Sequence, residues 1–462
     1  MSKQPLLGLV PIGKFVFSHE DAMRYKAQIQ ELLTGMGVRY VDLDEVIPDG
    51  MVRSQTDVEP VVEFLKSQKV DCIFMPHCNF GTEGAVGMIA RKMGVPTLLW
   101  GPRDEAPKPD GSRYRDSLCG LFASSKVLHK LKVPFTYIEN CRVGDLQFTE
   151  GIDNFLRAAN VASAFHTGMR IGHIGQRIDF FWTTIVNESE LLERFNIEIL
   201  PIDMVTFIRQ AREHAKENYD KYAVEASNLR KTMEIINLDD EKLMHILAVR
   251  DGMLKLAEDE KLDGLALQDF DSLVDEFGAY CFLANSMVSD TIPVSCESDI
   301  HGAVSTIMLH RAGYGTKPVF LSDITIRHPE DDNGVLLWHA GAPLSMCKPG
   351  CKVKIGHHWI LPSPVSGMPH FPLHDGNITV IRFDGDGGEY ALAIGEGESM
   401  TGPDTLNNYV WMKLDNWRRW ERILIEGPFI HHTAMAYGNY RKVFEEACKY
   451  IPGLTPVVLN ID

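Results

Sequence analysis

The chain has 462 residues, a length that fits two to four domains with well-developed cores and excludes a small scaffold held together by disulfides. Apolar residues make up 45% and charged residues 24%, close to the average for soluble globular proteins, which excludes extended disorder, collagen and a long coiled coil. The 46 Lys and Arg residues against 63 Asp and Glu residues give a net charge of −17. Because no run is rich in Lys or Arg, we expect neither nucleic acid nor an anionic membrane surface as a partner.

The start of the chain and its cysteines predict a cytoplasmic protein. Leu6–Val10 is a short apolar run that ends at Pro11 and lacks the length and the cleavage site of a signal peptide. No segment has the roughly 20 consecutive apolar residues that cross a bilayer. The nine cysteines are odd in number and scattered, which is typical of reduced core residues.

Short apolar runs alternate with helix-like segments in the first third of the chain. Beginning with a strand, the predicted strands and helices are Leu6–Val10, Asp21–Gly35, Arg39–Asp44, Val58–Gln68, Val70–Pro76, Thr82–Gly94 and Pro96–Trp100. This alternation predicts right-handed βαβ units and therefore a doubly wound parallel sheet over residues 1–165. Since the chain contains neither GxGxxG nor GxxxxGK[ST], we expect no nucleotide cofactor.

A second α/β pattern covers residues 166–343. Its predicted strands are Arg170–Gly175, Glu198–Ile202, Asp263–Gln268, Pro293–Cys296 and Val319–Leu321, with helices between them. The charged stretch Thr206–Lys261 predicts a pair of helices that face solvent or another subunit. We therefore predict a second doubly wound parallel-sheet domain.

The composition changes near Leu344 to Pro, Gly and His with short strand-like runs. Thr379–Phe383 and Tyr390–Ile394 are separated by Asp-Gly turns, which are typical of a β-hairpin, and a helix is expected over Tyr440–Tyr450. Residues 344–462 are thus predicted to form a smaller, mainly β domain. The predicted fold class is α/β, with two doubly wound parallel-sheet domains followed by this C-terminal domain.

Two acidic residues directly follow predicted strands of the second domain. Glu297 comes after Pro293–Cys296, and Asp323 comes after Val319–Leu321. Because the carboxyl ends of parallel strands lie at one edge of a sheet, where open α/β sheets bind ligands, both carboxylates are predicted to reach one rim. The alternative is that each is only a helix N-cap or a surface acid.

Histidines at further strand ends would turn such a rim into a metal site. His339 ends the apolar run Leu336–Trp338, and His431 and His432 follow Phe429-Ile430. Carboxylates combined with imidazoles suit Mn²⁺, Mg²⁺ or Co²⁺ better than the thiolate sites that select Zn²⁺. A lone histidine on an apolar strand is, however, more often a hydrogen-bonded core residue than a ligand.

Four motifs carry a resemblance to a known family. They are Cys296-Glu297-Ser298-Asp299, Leu321-Ser322-Asp323, Leu337-Trp338-His339-Ala340-Gly341 and Gly427-Pro428-Phe429-Ile430-His431-His432. With these motifs and the order of its three domains, the chain resembles the L-fucose isomerase and L-arabinose isomerase family, especially its fucose-isomerase-like members. The resemblance implies interconversion of an aldose and a ketose through an enediol on a divalent metal, usually Mn²⁺. It also implies a homo-oligomer, with a hexamer favoured, whose sites are shared between subunits.

The resemblance further implies residue roles. Glu297 and Asp323 correspond to the two metal-binding carboxylates, and they are also our candidates for the catalytic acid/base pair. His432 corresponds to the C-terminal histidine ligand, with His431 beside it contacting substrate. His339 is the candidate for the additional histidine of the arabinose branch, whereas Asp at position 323 follows the fucose branch.

Other residues are weaker candidates for substrate binding. Gln268, at the end of a predicted strand, is placed to bind a sugar hydroxyl or simply to satisfy a loop, and Trp411 is placed to stack on the sugar or to fill the core. The resemblance places Lys14 in a neighbouring subunit's site. Arg177 is a candidate for setting specificity, with a domain-interface role as the alternative, and Arg177 and Arg327 would be natural partners for an anionic substituent.

Two cysteines and two histidines allow a competing metal site. Cys347 and Cys351 are followed by His357 and His358, a pattern that a zinc knot could use. The spacing is loose and a second CxxC is missing, so this site is a minor alternative, and either histidine could line the sugar pocket instead.

Together these features predict a metal-dependent aldose–ketose isomerase acting on a fucose-like, arabinose-like or modified, anionic hexose. Two alternatives remain open: a non-catalytic sugar-binding or regulatory protein with a cleft between two α/β domains, and a metal-dependent hydrolase or lyase that uses the same acids.

Overall fold

The computed structural model describes residues 4–360 and 365–461. The chain divides into two compact units, one formed by residues 1–163 and 446–450 and the other by residues 164–445 and 451–462. The further division at residues 165 and 343 stays a prediction. Among the described residues, no helix is both long and apolar enough to cross a membrane.

The first unit is a doubly wound α/β structure. Its strands are β1 (Leu7–Leu9), β2 (Tyr40–Val41), β3 (Cys72–Pro76), β4 (Thr97–Trp100) and β5 (Thr136–Tyr137). They form one parallel sheet in the order β2-β1-β3-β4-β5. The helices that follow them along the chain are α1 (His19–Gly35), α2 (Val58–Ser67), α3 (Glu83–Met93), α4 (Ser117–Lys130) and α5 (Leu146–Thr167).

The second unit begins with a four-stranded parallel sheet. Its strands are β6 (Met169–Ile174), β7 (Ile197–Ile202), β9 (Gly264–Leu267) and β10 (Val294–Ser295), in the order β10-β9-β6-β7; β8 (Glu234–Ile235) lies outside this sheet. The helices of this part are α6 (Glu188–Phe195), α7 (Met204–Glu217), α8 (Tyr219–Thr232), α9 (Asp240–Asp259), α10 (Ser272–Phe277), α11 (Phe282–Val288) and α12 (Ile300–Ala312). The predicted α/β fold class is confirmed for both parallel sheets.

The rest of the second unit is a mainly antiparallel sheet of ten strands, one of which is β8. The remaining strands are β11 (Phe320–Arg327), β12 (Gly334–His339), β13 (Lys354–His357), β14 (Ser366–Pro372), β15 (Asn377–Asp386), β16 (Glu389–Met400), β17 (Asn408–Lys413), β18 (His432–Tyr437) and β19 (Leu454–Val458), with helices α13 (Trp417–Glu426) and α14 (Arg441–Cys448). Their order is β19-β16-β15-β18-β11-β12-β17-β14-β13-β8. An additional β16–β17 pairing closes six of these strands into a barrel-like ring. The predicted hairpin at the Asp-Gly turns is confirmed as β15–β16.

Two of the predictions for individual segments are wrong. The charged stretch Thr206–Lys261 is not an exposed helix pair: it contains α7, α8, β8 and α9, and α9 buries an apolar face that includes Leu247 and Val249. Charged residues share these helices with a buried apolar face, and the charge of the stretch alone does not reveal that face. The strand at Val319–Leu321 extends to Arg327 and is antiparallel to its neighbours, so it belongs to the ten-stranded sheet. An apolar run has the same appearance in either kind of sheet.

Gly120 shows how closely α4 approaches the loop after β3. A Cβ built on Gly120 would lie 1.6 Å from the carbonyl oxygen of Phe80, which belongs to the backbone and cannot rotate away. Gly120→Ala is therefore expected to lower the free energy of unfolding by about 1–3 kcal/mol, the cost of overpacking, measured by urea denaturation. Gly35→Ala is the matched control, because nothing lies within 4 Å of its added Cβ, and it should leave stability unchanged or raise it. Equal stabilities for the two variants would contradict this close contact.

Candidate metal and catalytic site

Glu297 lies in a strained turn between β10 and α12. Glu297 and Ser298 both have left-handed backbone conformations, with φ of 61° and 56°, which non-glycine residues rarely adopt. The backbone amide of Glu297 donates to Oδ2 of Asp269 at 2.9 Å, and the amide of Ser298 donates to the carbonyl of Leu267 at 3.0 Å. These bonds fix the turn to the end of β9 and direct the Glu297 side chain to one place.

Asp323 and His432 are direct neighbours on two paired strands. Asp323 of β11 lies opposite His432, the first residue of β18, in an antiparallel pairing. Directly opposed residues of antiparallel strands point to the same face of the sheet, so the carboxylate and the imidazole come together. Oδ1 of Asp323 is 3.6 Å from Nε2 of His432.

The side chains predicted to form the metal site converge. Nε2 of His432 lies 3.2 Å from Oε2 of Glu297. Nε2 of His339, at the end of β12, lies 3.7 Å from Oε1 of Glu297 and 3.9 Å from Oδ1 of Asp323. Contrary to the prediction, Asp323 and His339 do not reach this place from the rim of the parallel sheet, because β11 and β12 belong to the antiparallel one.

The donor set fits a hard divalent cation. Ligand atoms of Glu297, His339 and His432 lie within 4.8 Å of one another, and so do those of Asp323, His431 and His432. Oδ1 of Asp323 and Nε2 of His432 are buried, and neither makes a well-aligned hydrogen bond to any part of the chain that the structure describes. Buried polar atoms without partners are costly, and a cation between them would satisfy both. Carboxylate oxygens with imidazole nitrogens suit ions such as Mn²⁺.

The electrostatics of the cluster also favour a bound cation. Burial opposes ionisation of Glu297, but the imidazoles of His432 and His339 outweigh it and hold the pKa of Glu297 below its usual value. Burial likewise works against a charged His432, but the carboxylates of Asp299 and Glu297 raise the pKa of His432 to about 10. The carboxylates around His432 thus favour positive charge at this place, and a divalent ion would supply it.

A buried charge network behind His432 was not predicted. Nδ1 of His432 lies 2.9 Å from Oδ2 of Asp299, and Asp299 is paired with Arg382; both are fully buried. Burial opposes ionisation of Asp299, but Arg382 and His432 hold its pKa far below the usual value. Arg382 also donates to Asp384, whose other oxygen lies 3.0 Å from Nδ1 of His301. The available signal was Arg382 itself, a charged residue between Ile381 and Phe383 in an apolar strand.

Asp269 and Asn285 form a second unpredicted support, beneath the turn that carries Glu297. Asp269 follows β9, accepts from Nδ2 of Asn285 at 2.6 Å, and accepts the amide of Glu297. Burial raises the pKa of Asp269 to about 7. Its position just after a parallel strand was visible in the sequence, beside Gln268.

The weaker candidates for substrate binding, Gln268, Arg177 and Trp411, differ in their hydrogen bonds and burial. Oε1 of Gln268 is buried and has no hydrogen-bond partner within residues 4–360 and 365–461, whereas Nη1 of Arg177 donates to the backbone carbonyls of Ile178, Asp179 and Phe181. Trp411 is buried with Trp338, and its Nε1 donates to the carbonyl of Pro403, which matches the core alternative.

In the first unit, Lys14 pairs with Glu83 at 3.6 Å and lies over the ring of Phe80. Nothing in this single chain tests its placement in a neighbouring subunit's site.

The minor zinc-knot alternative does not assemble. Cys347 and Cys351 do not join His357 or His358 in any of the groups of at least three close ligand atoms found among the described residues. His358 is instead buried beside Trp338, with its Nε2 near the side-chain amide of Asn407.

A cavity of about 310 Å³ lies beside His431, at the edge of the cluster of candidate ligands. His431, which belongs to the cluster, and Arg327 of β11 both line it, and α13 forms another wall. Most of the remaining lining is apolar, including Trp417 and Phe429. Such a mixture of apolar walls and a few polar groups is typical of small-molecule sites.

Sequence comparisons relate the chain to sugar isomerases. Residues 8–166 match the family described as fucose/sulfoquinovose isomerase, N-terminal domain, a segment that precedes the site residues. A sulfoquinovose isomerase of Priestia aryabhattai is 25% identical over 397 residues, which cover 85% of this chain and 84% of the relative. A sulfoquinovose isomerase of Alkalicoccus urumqiensis is 23% identical over 443 residues, which cover 95% of this chain and 96% of the relative.

Among solved structures, a periplasmic solute-binding protein of Actinobacillus succinogenes with bound D-allose aligns at 15% identity, covering 61% of this chain and 82% of its own. Its TM-score of 0.17 is too low to support a shared fold. The match over residues 8–166, the sulfoquinovose isomerase relatives and the four motifs together support a sugar aldose–ketose isomerase of the fucose-isomerase-like kind.

Proposed function

We propose that this protein is a metal-dependent aldose–ketose isomerase that converts an anionic hexose through an enediol. The observation that carries the proposal is the convergence of Glu297, Asp323 and His432, together with Oδ1 of Asp323, a buried atom that has no hydrogen-bond partner among the described residues. The sequence relatives, all sulfoquinovose isomerases, support the isomerase chemistry.

Glu297, Asp323 and His432 are the proposed ligands, with His339 as a fourth. Mn²⁺ is the ion we favour, and Mg²⁺ or Co²⁺ would suit the same oxygen and nitrogen donors. When bound, the ion supplies a Lewis acid that stabilises negative charge developing on the sugar's O1 and O2.

The two carboxylates are the proposed proton carriers. Since the pKa of Glu297 lies below its usual value, this carboxylate is ionised at neutral pH and can accept the proton from C2 and return it to C1. Asp323 is the group that moves the second proton between O1 and O2. His431, which is exposed beside the cluster, is the proposed contact to a sugar hydroxyl.

The cavity beside His431 supports the choice of substrate class. Arg327 lines this cavity and is paired with Asp332, whose side chain is 92% exposed. An exposed ion pair contributes little, so the guanidinium can exchange Asp332 for an anionic substituent of the sugar. Sulfoquinovose is a hexose with a sulfonate group, and a sulfonated hexose is therefore the first candidate.

An exposed apolar surface at the cavity bears on how copies of the chain assemble. Ile326 and Ile425 line the same cavity and are 58% and 80% exposed, an apolar surface that a second copy of the chain would cover. A homo-oligomer, with a hexamer favoured, would exclude water from the enediol and could bring Lys14 from a neighbouring subunit. We propose a cytoplasmic location for the enzyme.

Hydrogen exchange tests the reaction. The metal-loaded protein, incubated in D₂O with sulfoquinovose, L-fucose and L-arabinose in separate reactions, should introduce deuterium at C1 or C2 of its substrate, because the proton passes through a carboxylate that exchanges with solvent. NMR and mass spectrometry measure the label. EDTA should abolish the exchange and added Mn²⁺ restore it. Absence of exchange with every sugar would refute the isomerase proposal.

Substitution of the two carboxylates tests their roles. Glu297→Gln and Asp323→Asn should each lower kcat by about 10²–10⁴-fold, the usual contribution of a general acid or base, and should weaken Mn²⁺ binding. Circular dichroism should show an unchanged fold. Glu330→Gln is the control, since Glu330 is exposed and lies in the loop after β11. Normal turnover in both site variants would show that the reaction occurs elsewhere.

Arg327 is predicted to select the anion. Arg327→Gln should raise KM for a sulfonated hexose by about 10- to 100-fold, because a charge-assisted hydrogen bond contributes about 1.5–3 kcal/mol. It should change kcat little, since the substituent is remote from C1 and C2. Steady-state kinetics measure both constants, and Arg422→Gln on the exposed face of α13 is the matched control. An unchanged KM would show that the anionic substituent binds outside this cavity.

A further inference from the structure

The imidazole of His432 has a carboxylate on the side that faces away from the other proposed metal ligands. Its Nδ1 lies 2.9 Å from Oδ2 of Asp299, while its Nε2 lies near Glu297 and Asp323. We propose that Asp299, held by Arg382, is a positioning residue: it holds a proton of His432 on Nδ1 and so makes Nε2 the nitrogen that binds the cation. This inference rests on the proposed metal-dependent function.

The direction of the hydrogen bond follows from the partners of Asp299. An ionised carboxylate only accepts hydrogen bonds, so Nδ1 of His432 must donate. Arg382 faces Asp299 in a pair that is 0% exposed on both sides, and the amide of Gly302 donates to Oδ1 of Asp299 at 2.9 Å. Surrounded by donors, Asp299 has no proton to give and accepts the Nδ1 proton in either charge state of the ring, so Nε2 is the nitrogen that faces the cation.

Arg382 is itself held from a second direction. Its Nε donates to Oδ2 of Asp384 at 2.9 Å, and Oδ1 of Asp384 lies 3.0 Å from Nδ1 of His301. The adjacent amide of Phe383 donates to Oγ of Ser305 at 2.9 Å, which ties β15 to α12. The guanidinium therefore cannot follow small movements of the Asp299 side chain, and Asp299 in turn restrains the imidazole plane.

The other two histidines of the cluster lack this arrangement. Nδ1 of His339 lies 3.2 Å from the carbonyl of Ala340, a neutral acceptor. His431 is exposed, and no described residue holds its ring with a hydrogen-bonded carboxylate. A carboxylate behind a metal-binding histidine raises the basicity of the nitrogen that faces the ion. Among adjacent His431 and His432, His432 is thus the one built as a ligand.

Asp299 also has a structural role that the test must separate. It is the N-cap of α12, and its loss there would lower stability without a specific effect on the ion. Asn is as good an N-cap as Asp, so Asp299→Asn preserves the cap while removing the charge. Asp203→Asn is the matched control, because Asp203 caps α7 in the same way, with Thr206 as its amide donor, and no histidine is part of that cap.

The experiment measures Mn²⁺ binding to the full-length protein after chelation, by isothermal titration calorimetry. Asp299→Asn is expected to bind Mn²⁺ about 10- to 100-fold more weakly than the unmodified protein, the usual effect of losing such a support, whereas Asp203→Asn should bind normally. Circular dichroism and cooperative thermal unfolding establish that each variant is folded. A folded Asp299→Asn that binds Mn²⁺ as tightly as the unmodified protein overturns the positioning role alone. Failure of the unmodified protein to bind any Mn²⁺ overturns the proposed metal-dependent function.

A second measurement tests the position of the proton on His432 directly. It needs no variant of Asp299, so it remains decisive if Asp299→Asn does not fold. Long-range ¹H–¹⁵N correlation spectra of the Mg²⁺-loaded protein, labelled with ¹⁵N-histidine, report the tautomer of each ring. The signal of His432 is identified by its loss in His432→Gln. A proton on Nδ1 and a bare Nε2 are expected for His432, and the opposite tautomer overturns the proposal.

Discussion

The pairing of β11 with β18 is the constraint on which the site depends. It places Asp323 opposite His432, and the neighbouring β12 ends with His339, so one sheet sets the spacing of three polar side chains. Since side chains alternate between faces along a strand, a shift of one residue in this register would turn Asp323 away from His432. Glu297 then needs only to be directed at this fixed arrangement, which the strained turn after β10 achieves.

The site also depends on how the charges of its buried carboxylates are balanced. Glu297, Asp299, Asp323 and Asp384 lie in or directly behind the cluster, and the guanidinium of Arg382 is the fixed positive charge that pairs with two of them. Burying carboxylates in such excess is expensive unless a cation accompanies them. The raised pKa of His432 is one expression of that demand, and a divalent ion, as proposed above, would meet it. The same arrangement that stabilises an ion would stabilise the negative charge that develops as an aldose becomes an enediol.

Much of the fold could be predicted from the sequence, because alternation of strands and helices and Asp-Gly turns are local patterns. Glu297, Asp323, His339 and His432 were identified individually, and they do converge. The path by which they meet was not predictable, since an apolar run such as Phe320–Leu321 does not reveal whether its partners are parallel or antiparallel. Arg382 and Asp269 were missed for a related reason: each acts through a partner that is distant in the chain, Asp299 in one case and the amide of Glu297 in the other.

The closed ring of strands also bears on how the protein avoids association with itself through strand pairing. Because the β16–β17 pairing closes the ring, β11, β12 and β18 each have a paired strand on both sides, and none of the three is an edge strand among the described residues. The strands at the two ends of the ten-stranded order are poor templates: β8 has two residues, and β19 contains Pro456, which lacks an amide hydrogen. The strands that carry Asp323, His339 and His432 are thus shielded from misassembly with other chains.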